Sequence, residues 1–309
     1  MNVEISVIVL CYNPNLDKLK KTLKSILQQK EIAYEIIISD DGSKQKNYGL
    51  ISSYFEDAGF DDFTILENKE NQGTVKNAME ALKCAKGKYI KLISPGDYLY
   101  NDTCLSRLCM YMESKKSKIC YGKAVYYKYN ESNLDIYPMR APINQKIYKK
   151  NNIKKIQRNY LFFRDKILGA SLVLQKDTTI YYFEKICQYV KYAEDLSVIC
   201  MVADGEKIDF WDEYLIWYEY GTGISTNGVS KWTKIISKEE EHVFKNLINN
   251  YDAKDQVVRF TYDENVGFIK RMRMQPAYIF YLLSAYLLMF YSKRSINCRS
   301  IDKNCFIED

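Results

Sequence analysis

The chain has 309 residues, 47% of them hydrophobic and 27% charged, with a net charge of +6. That length suits one α/β core with an appendage, and the composition excludes wholesale disorder. Lysines alternate with acidic residues over most of the chain, which gives no basis for a nucleic-acid partner and leaves a weak pull toward anionic lipid or phosphate-bearing acceptors. From the N-terminus, residues 5–10 form a near-continuous apolar run, the pattern of a strand buried on both faces. Cys11-Tyr12-Asn13-Pro14-Asn15 then turns the chain into a helix over residues 16–29, with Leu16, Leu19, Leu23, Ile26 and Leu27 on one face. Strands are predicted over 36–39, 63–66 and 89–93, separated by helices over 47–58 and 75–85. This alternation points to right-handed βαβ crossovers and a mostly parallel sheet.

Further along, a helix is expected over 102–114 and a tyrosine-rich strand over 118–127. Residues 140–166 carry Lys146, Lys149, Lys150, Lys154, Lys155 and Arg158. This basic stretch reads as a solvated face, with a phosphate- or lipid-facing lid as the alternative. The sheet resumes at 169–174, a helix begins near Tyr192-Ala193-Glu194-Asp195 and runs to 202, and 207–211 and 215–220 read as closing strands.

Two of these strands end in carboxylates: Asp40-Asp41-Gly42-Ser43 closes the second and Ser94-Pro95-Gly96-Asp97 the fourth. Acidic residues at the carboxyl ends of parallel strands face the crevice where open α/β sheets bind ligands. There they suit ribose hydroxyls, base edges and a divalent cation bridging phosphates. The pair Asp41 and Asp97 therefore points to a nucleotide-sugar site.

Five segments carry a resemblance when taken in order and spacing: SVIVLCYN (6–13), EIIISDDGS (35–43), NQGTVKNA (71–78), AKGKYIKLISPGDYL (85–99) and AEDLSV (193–198). Over residues 4–226 the chain resembles a bacterial family 2 glycosyltransferase of the GT-A fold, of the kind that builds capsular polysaccharide, exopolysaccharide or O-antigen. The resemblance implies an α/β fold with a mixed, mainly parallel sheet flanked by helices. It implies a catalytic domain over 1–226, with a nucleotide-sugar half at about 1–100 and an acceptor half at about 101–226. A C-terminal helical extension would cover 227–309. The implied reaction is inverting transfer from a UDP-sugar to a lipid-linked oligosaccharide or surface polysaccharide.

By the same match, Tyr12 would pack near the uracil ring and Asp41 would bond its edge. Asn13, Asp40, Asn71, Gly73 and Asn77 complete the implied nucleotide-binding set, Asp40 having a turn or cap role as its alternative. Asp97 corresponds to the acid that holds Mg2+ or Mn2+. Relatives commonly carry two or three acids here, whereas this chain has glycine at 96, which puts the usual ribose contact and strong metal dependence in question. Asp195 matches the general base, and Glu194 beside it is either its replacement or a helix cap. Gly169 and Ser225 fall toward the diphosphate and acceptor, Ser225 within the segment 220–225 that would close over the diphosphate. Trp211 and Trp217 read as core residues first and acceptor-sugar platforms second. A non-catalytic nucleotide-binding scaffold, or a partner subunit of a glycosyltransferase complex, is the alternative reading, and Gly96 is its support.

Nine scattered cysteines without a CxxC pair fit a reducing cytoplasm rather than structural zinc, and the single histidine, His242, in a Lys/Glu-rich stretch, excludes a multi-histidine metal site and argues against a histidine-based triad. No signal peptide is read at the N-terminus. The uncharged stretch 277–292, flanked by Lys270-Arg271-Met272-Arg273 and Lys293-Arg294, is short of a spanning helix. Basic flanks and mixed aromatics suit a helix lying in a membrane interface over 270–294, with a packed helix as the alternative. The expected location is cytoplasmic, peripheral on the inner face of the cell membrane, with oligomerisation left open.

Overall fold

β1 (Ile5–Cys11) is buried at every position and sits between two parallel neighbours, β2 (Tyr34–Asp40) and β4 (Tyr89–Ile93). The computed structural model describes residues 3–130, 133–223, 230–248, 269, 272–273, 276–293 and 301–306. β3 (Phe63–Glu67) continues the parallel half beyond β2. The chain thus adds strands on one side of β1, then returns to add β4 on the other. That reversal opens a crevice beyond the carboxyl ends of β1 and β4, where open α/β sheets take their ligands.

The crossover helices follow from local sequence. α1 (Leu16–Leu27) starts where Asn15 accepts the Lys18 amide at 3.0 Å, an N-cap, and it buries Leu19, Leu23 and Ile26. α2 (Tyr48–Asp57) buries Ile51 and Phe55, and α3 (Thr74–Cys84) buries Val75, Ala78, Ala81 and Leu82. Helices pack both faces of the sheet, so two large apolar clusters form, one on each side.

The second half of the sheet is mixed. β5 (Tyr98–Leu99) follows the Ser94–Asp97 turn, and α4 (Cys104–Lys115) leads into β6 (Ile119–Asn130), which pairs with β7 (Asn133–Tyr137) as an antiparallel hairpin. The basic stretch holds two short helices, α5 (Lys146–Lys149) and α6 (Ile153–Gln157), then a π turn over Arg158–Phe162. A 3-10 turn at Gly169–Ser171 precedes β8 (Leu172–Gln175), so the expected strand starts three residues late. The cause is local: Ser171 donates from both its amide and its hydroxyl to the Leu168 carbonyl, at 3.0 and 2.8 Å.

α7 (Lys176–Ile186) falls where the sequence carried no expectation, and its Thr-Thr-Ile-Tyr-Tyr run has the composition of a strand. A 3-10 turn at Glu194–Leu196 opens α8 (Ser197–Ala203). The two strands predicted over 207–220 are one, β9 (Ile208–Glu219). The polar pair Asp212-Glu213 is a bulge opposite Gly122, between the pairings Tyr121 with Phe210 and Lys123 with Tyr214. A side chain at 122 would meet the Leu215 Cβ at 2.7 Å, so the bulge needs glycine there. Strand order is β3-β2-β1-β4-β8-β6-β9-β5, with β7 beside β6. Trp211 and Trp217 are buried in the core.

Beyond residue 226, α9 (Ser230–Val243) runs into a π turn at Phe244–Ile248, and Val243, Phe244 and Ile248 join the first cluster. α10 (Ala277–Lys293) stacks Tyr278 and Tyr281 against Phe163 at ring distances of 5.2 and 5.1 Å. Its opposite side exposes Ile279, Phe280, Leu283, Tyr286 and Leu287. Among the described residues, no helix is long and apolar enough to cross a membrane. Phe306 returns to the core beside Tyr98, Tyr127 and Trp217.

Candidate functional site

The expected residues form two adjoining groups at the crevice. The first is knit by hydrogen bonds at the ends of β1 and β2. Asn13 sits at φ +46°, its amide donates to the Ser43 hydroxyl at 2.6 Å, and its side chain accepts the Lys44 amide at 2.9 Å. Asp40 accepts the Ser43 hydroxyl at 2.5 Å and the Tyr48 hydroxyl. Asp41 accepts the Gln72 and Gly73 amides on separate oxygens, both at 2.8 Å. The Asp41 carboxylate therefore fastens the loop before α3 to the end of β2. Asn71 lies half-buried in that loop, and Gly73 holds φ +94° against Lys191. Asn77 is turned inward: it bonds both the Ser39 hydroxyl and carbonyl, and accepts from Asn68. Tyr12 is 50% exposed at the rim, open to stack on a planar ligand.

The second group lines a cleft of about 440 Å3 that includes Asp97, Gly169, Glu194 and Asp195. Leu10 and Thr74, neighbours of the first group, line it too. Ser225 lies outside the described residues. Asp97 is buried, and its carboxylate accepts the Glu219 amide at 3.1 Å. Burial pushes its pKa up to about 7, against the lowering effect of that hydrogen bond and of Lys91. Burial also raises both Glu194 and Asp195, and Glu194 is raised further by the charge of Asp195. A Cβ on Gly169 would lie 2.8 Å from the Asp195 Cβ. Glycine at 169 is what lets Asp195 occupy its place.

Four residues of this cleft region escaped the sequence reading. Lys91 is fully buried beneath the cleft and donates to the Leu92 carbonyl at 2.8 Å and to the Ala170 carbonyl. Burial lowers its pKa to about 8. Its signal was present, a lysine interrupting the apolar strand Tyr89–Ile93. Glu219 lines the cleft and receives both ammonium contacts of Lys18, at 2.6 and 2.7 Å, and the Thr222 hydroxyl at 3.0 Å. Glu239, on α9, accepts the Lys191, Tyr192 and Ala193 amides at 2.9, 3.1 and 3.1 Å. Lys18, Glu219 and Glu239 come from segments far apart in sequence, and no motif marks them. α9 also places Ile236 in the cleft and packs Trp232 against Tyr192.

Among the described residues, no three His, Cys, Asp or Glu side chains cluster as a metal-ligating group. The residues present fit a cation held by few protein ligands. Asp97 is a buried carboxyl whose burial outweighs the charges of Lys91 and Lys18, and Glu219 shares its wall of the cleft. Such a cation would draw its other oxygens from a bound diphosphate and water.

The family model described as "Glycosyl transferase family 2" matches residues 6–171, more than half of the chain. Among curated proteins, the dolichyl-phosphate beta-glucosyltransferase of Dictyostelium discoideum is 31% identical over 30% of this chain and 30% of its own length. The UDP-Glc:alpha-D-GlcNAc-diphosphoundecaprenol beta-1,3-glucosyltransferase WfaP of Escherichia coli is 30% identical over 40% of this chain and 46% of its own. These matches thus span less than half of either relative. The crystal structure of S. aureus TarS 1-349 in complex with UDP covers 95% of this chain and 91% of its own, with a TM-score of 0.52 at 14% identity, a likeness of fold.

Proposed function

The chain belongs to glycosyl transferase family 2, and from that premise we propose that it transfers a sugar, with inversion, from a UDP-sugar to a lipid-linked or polysaccharide acceptor. The observation that carries this reading is the gathering of Asp97, Glu194, Asp195 and Glu219 around one cleft at the carboxyl ends of β1 and β4. The names of the relatives, which act on dolichyl-phosphate and diphosphoundecaprenol substrates, support the acceptor class.

In this reading Tyr12 covers the uracil ring, and the loop fastened by Asp41 shapes the nucleotide pocket. Asp195 accepts the proton of the acceptor hydroxyl as its oxygen bonds the anomeric carbon. The bond from that carbon to UDP breaks, and UDP leaves with the electron pair. A carboxyl pKa raised by burial suits this role, because the carboxylate then takes the proton more strongly than an exposed one. Lys166 lines the cleft too, and its charge opposes the rise that burial gives the Asp195 carboxyl. Glu239 fixes the backbone just before the base. Asp97 and Glu219 would hold Mg2+ or Mn2+, which when bound would offset the charge growing on the departing diphosphate.

The exposed apolar side of α10, with Lys270-Arg271 and Lys293-Arg294 flanking it in sequence, supports a peripheral membrane position. Membrane residence would bring the enzyme to a lipid-linked acceptor.

The test is UDP release from a panel of UDP-sugars by wild type and Asp97→Ala, with Mn2+, with Mg2+ and with EDTA. Turnover of one donor, lost on substitution, is the expected result. Absence of both turnover and calorimetric UDP binding in the wild type would overturn the reading.

A further inference from the structure

A second cavity, of about 530 Å3, lies away from the cleft, between β6, β9 and the segment joining β7 to α5. Its wall carries four cations, Lys123, Arg140, Lys146 and Lys149, against one carboxylate, Asp212. Asp212 is already shared: Lys123 contacts one of its oxygens at 2.9 Å and Lys149 contacts the other. The two ammonium groups also lie over aromatic rings, Lys123 at 5.5 Å from the Tyr214 centroid and Lys149 at 5.7 Å from that of Phe210. Arg140 adds a guanidinium to the same wall. Its Nε is buried without a hydrogen-bond partner. Asp165, the acid whose charge acts most on Arg140, spends its oxygens on the Ile143 and Asn144 amides at 2.7 and 3.1 Å.

Excess positive charge in a concave wall concentrates anions. The guanidinium fork and adjacent ammonium groups match the oxygens of a phosphate. We propose that this cavity is a phosphate-binding subsite that grips a phosphate or diphosphate group of the acceptor, an assignment that rests on the transfer reading above. β9 links it to the reaction. Tyr214 lines the cavity and Tyr218 lines the cleft, four residues or roughly 13 Å apart along a strand. An acceptor extending past its reacting hydroxyl would place a phosphate at this remove.

The experiment is calorimetric titration of the full chain with inorganic pyrophosphate in EDTA, for wild type, Arg140→Met, Lys149→Ala and Asp97→Ala. Arg140→Met is expected to weaken pyrophosphate binding by about tenfold. Lys149→Ala should weaken it in the same direction, and Asp97→Ala should leave it unchanged. Melting curves identify any variant that fails to fold, and Lys149, partly exposed, remains available if Arg140→Met does. Competition then separates the sources: displacement by farnesyl diphosphate marks a lipid-linked diphosphate, and displacement by a glycerol phosphate trimer marks a phosphodiester polymer. Equal pyrophosphate binding in wild type and both cavity variants, or loss only in Asp97→Ala, would overturn the proposal. Binding that neither competitor displaces would reduce the cavity to an adventitious ion site only. UDP titration of the same preparations keeps the two readings apart, because failure to bind UDP defeats the transfer reading whatever pyrophosphate does.

Discussion

A Cβ built on Gly96 would lie 2.6 Å from the Glu219 Oε2, so the carboxylate of β9 fills the space a side chain at 96 would take. Position 96 carries no side chain of its own, and an acid arrives there from 123 residues downstream. The same Glu219 donates its amide to Asp97, so one residue both bonds that acid and places a second carboxylate beside it. The absence of an acid at 96 is therefore weak support for a non-catalytic scaffold.

Gly96→Ala tests the relationship. Position 96 holds φ +104°, which L-residues rarely adopt, and the added methyl meets Glu219. The substitution should cost about 1–3 kcal/mol in urea unfolding. Adding Glu219→Ala should recover only the part due to the contact, because the backbone strain remains. Full recovery in the double variant would show that φ imposes no cost.

If Glu219 helps hold a cation, Glu219→Gln should weaken Mn2+ binding in the presence of UDP by about ten- to hundredfold. Lys18→Met should do the reverse, because its ammonium competes for the same two oxygens. Manganese titrations followed by electron paramagnetic resonance read both changes without an assay of turnover. Unchanged affinity in both variants would remove Glu219 from the cation site.

The buried Asp97 gives the cation-free protein a pH-dependent stability. Its folded pKa, about 7, lies above its ordinary value of 3.8. Such a group contributes stability that is fully present below the unfolded pKa and is lost as pH rises through the folded one. Glu194 and Asp195 are raised too and act in the same direction. Lys91, lowered from 10.5 to about 8, has its own window above pH 8 and does not cancel the effect. The melting temperature in EDTA should therefore carry a falling contribution between pH 4 and 7, and Asp97→Asn should reduce that slope. Identical slopes in the two proteins would contradict the burial argument.

Glu239→Ala should impair the base without touching the cleft. Three backbone amides just before Glu194 would lose their acceptor, costing about 3 kcal/mol or more. The expected signature is a fall in kcat larger than any loss of UDP affinity: the loop before α3 packs on Lys191 but is also fastened by Asp41 through the Gln72 and Gly73 amides. A parallel loss of UDP binding would point to general unfolding instead.

Phe280→Ser and Leu283→Ser on the exposed side of α10 should each weaken binding to anionic vesicles by roughly tenfold. Flotation with phosphatidylglycerol vesicles measures this. Vesicle binding that survives both changes would leave α10 as a packing helix through Tyr278 and Tyr281 alone.

The sequence by itself determined the parallel half of the sheet, and the reason is locality. Apolar runs at strand spacing, helices with one apolar face and glycine-marked turns are written within a dozen residues of each other. The elements from residue 5 to residue 93 accordingly fall within a few positions of expectation. Asp97, Gly169, Glu194 and Asp195 were legible because they sit in such local motifs, and the fold brings them to one cleft. Tertiary structure alone decided the rest. The helix over 176–186 is set by burial of Thr179, Tyr182, Phe183 and Ile186, against the strand propensity of its residues. The continuity of β9 depends on Gly122 facing its bulge. Lys18 meets Glu219 across 201 positions, and Glu239 reaches the backbone before the base across 46 to 48. A charge that finds its partner only after the chain has folded leaves no periodicity behind, so its role becomes visible only when burial forces the pairing.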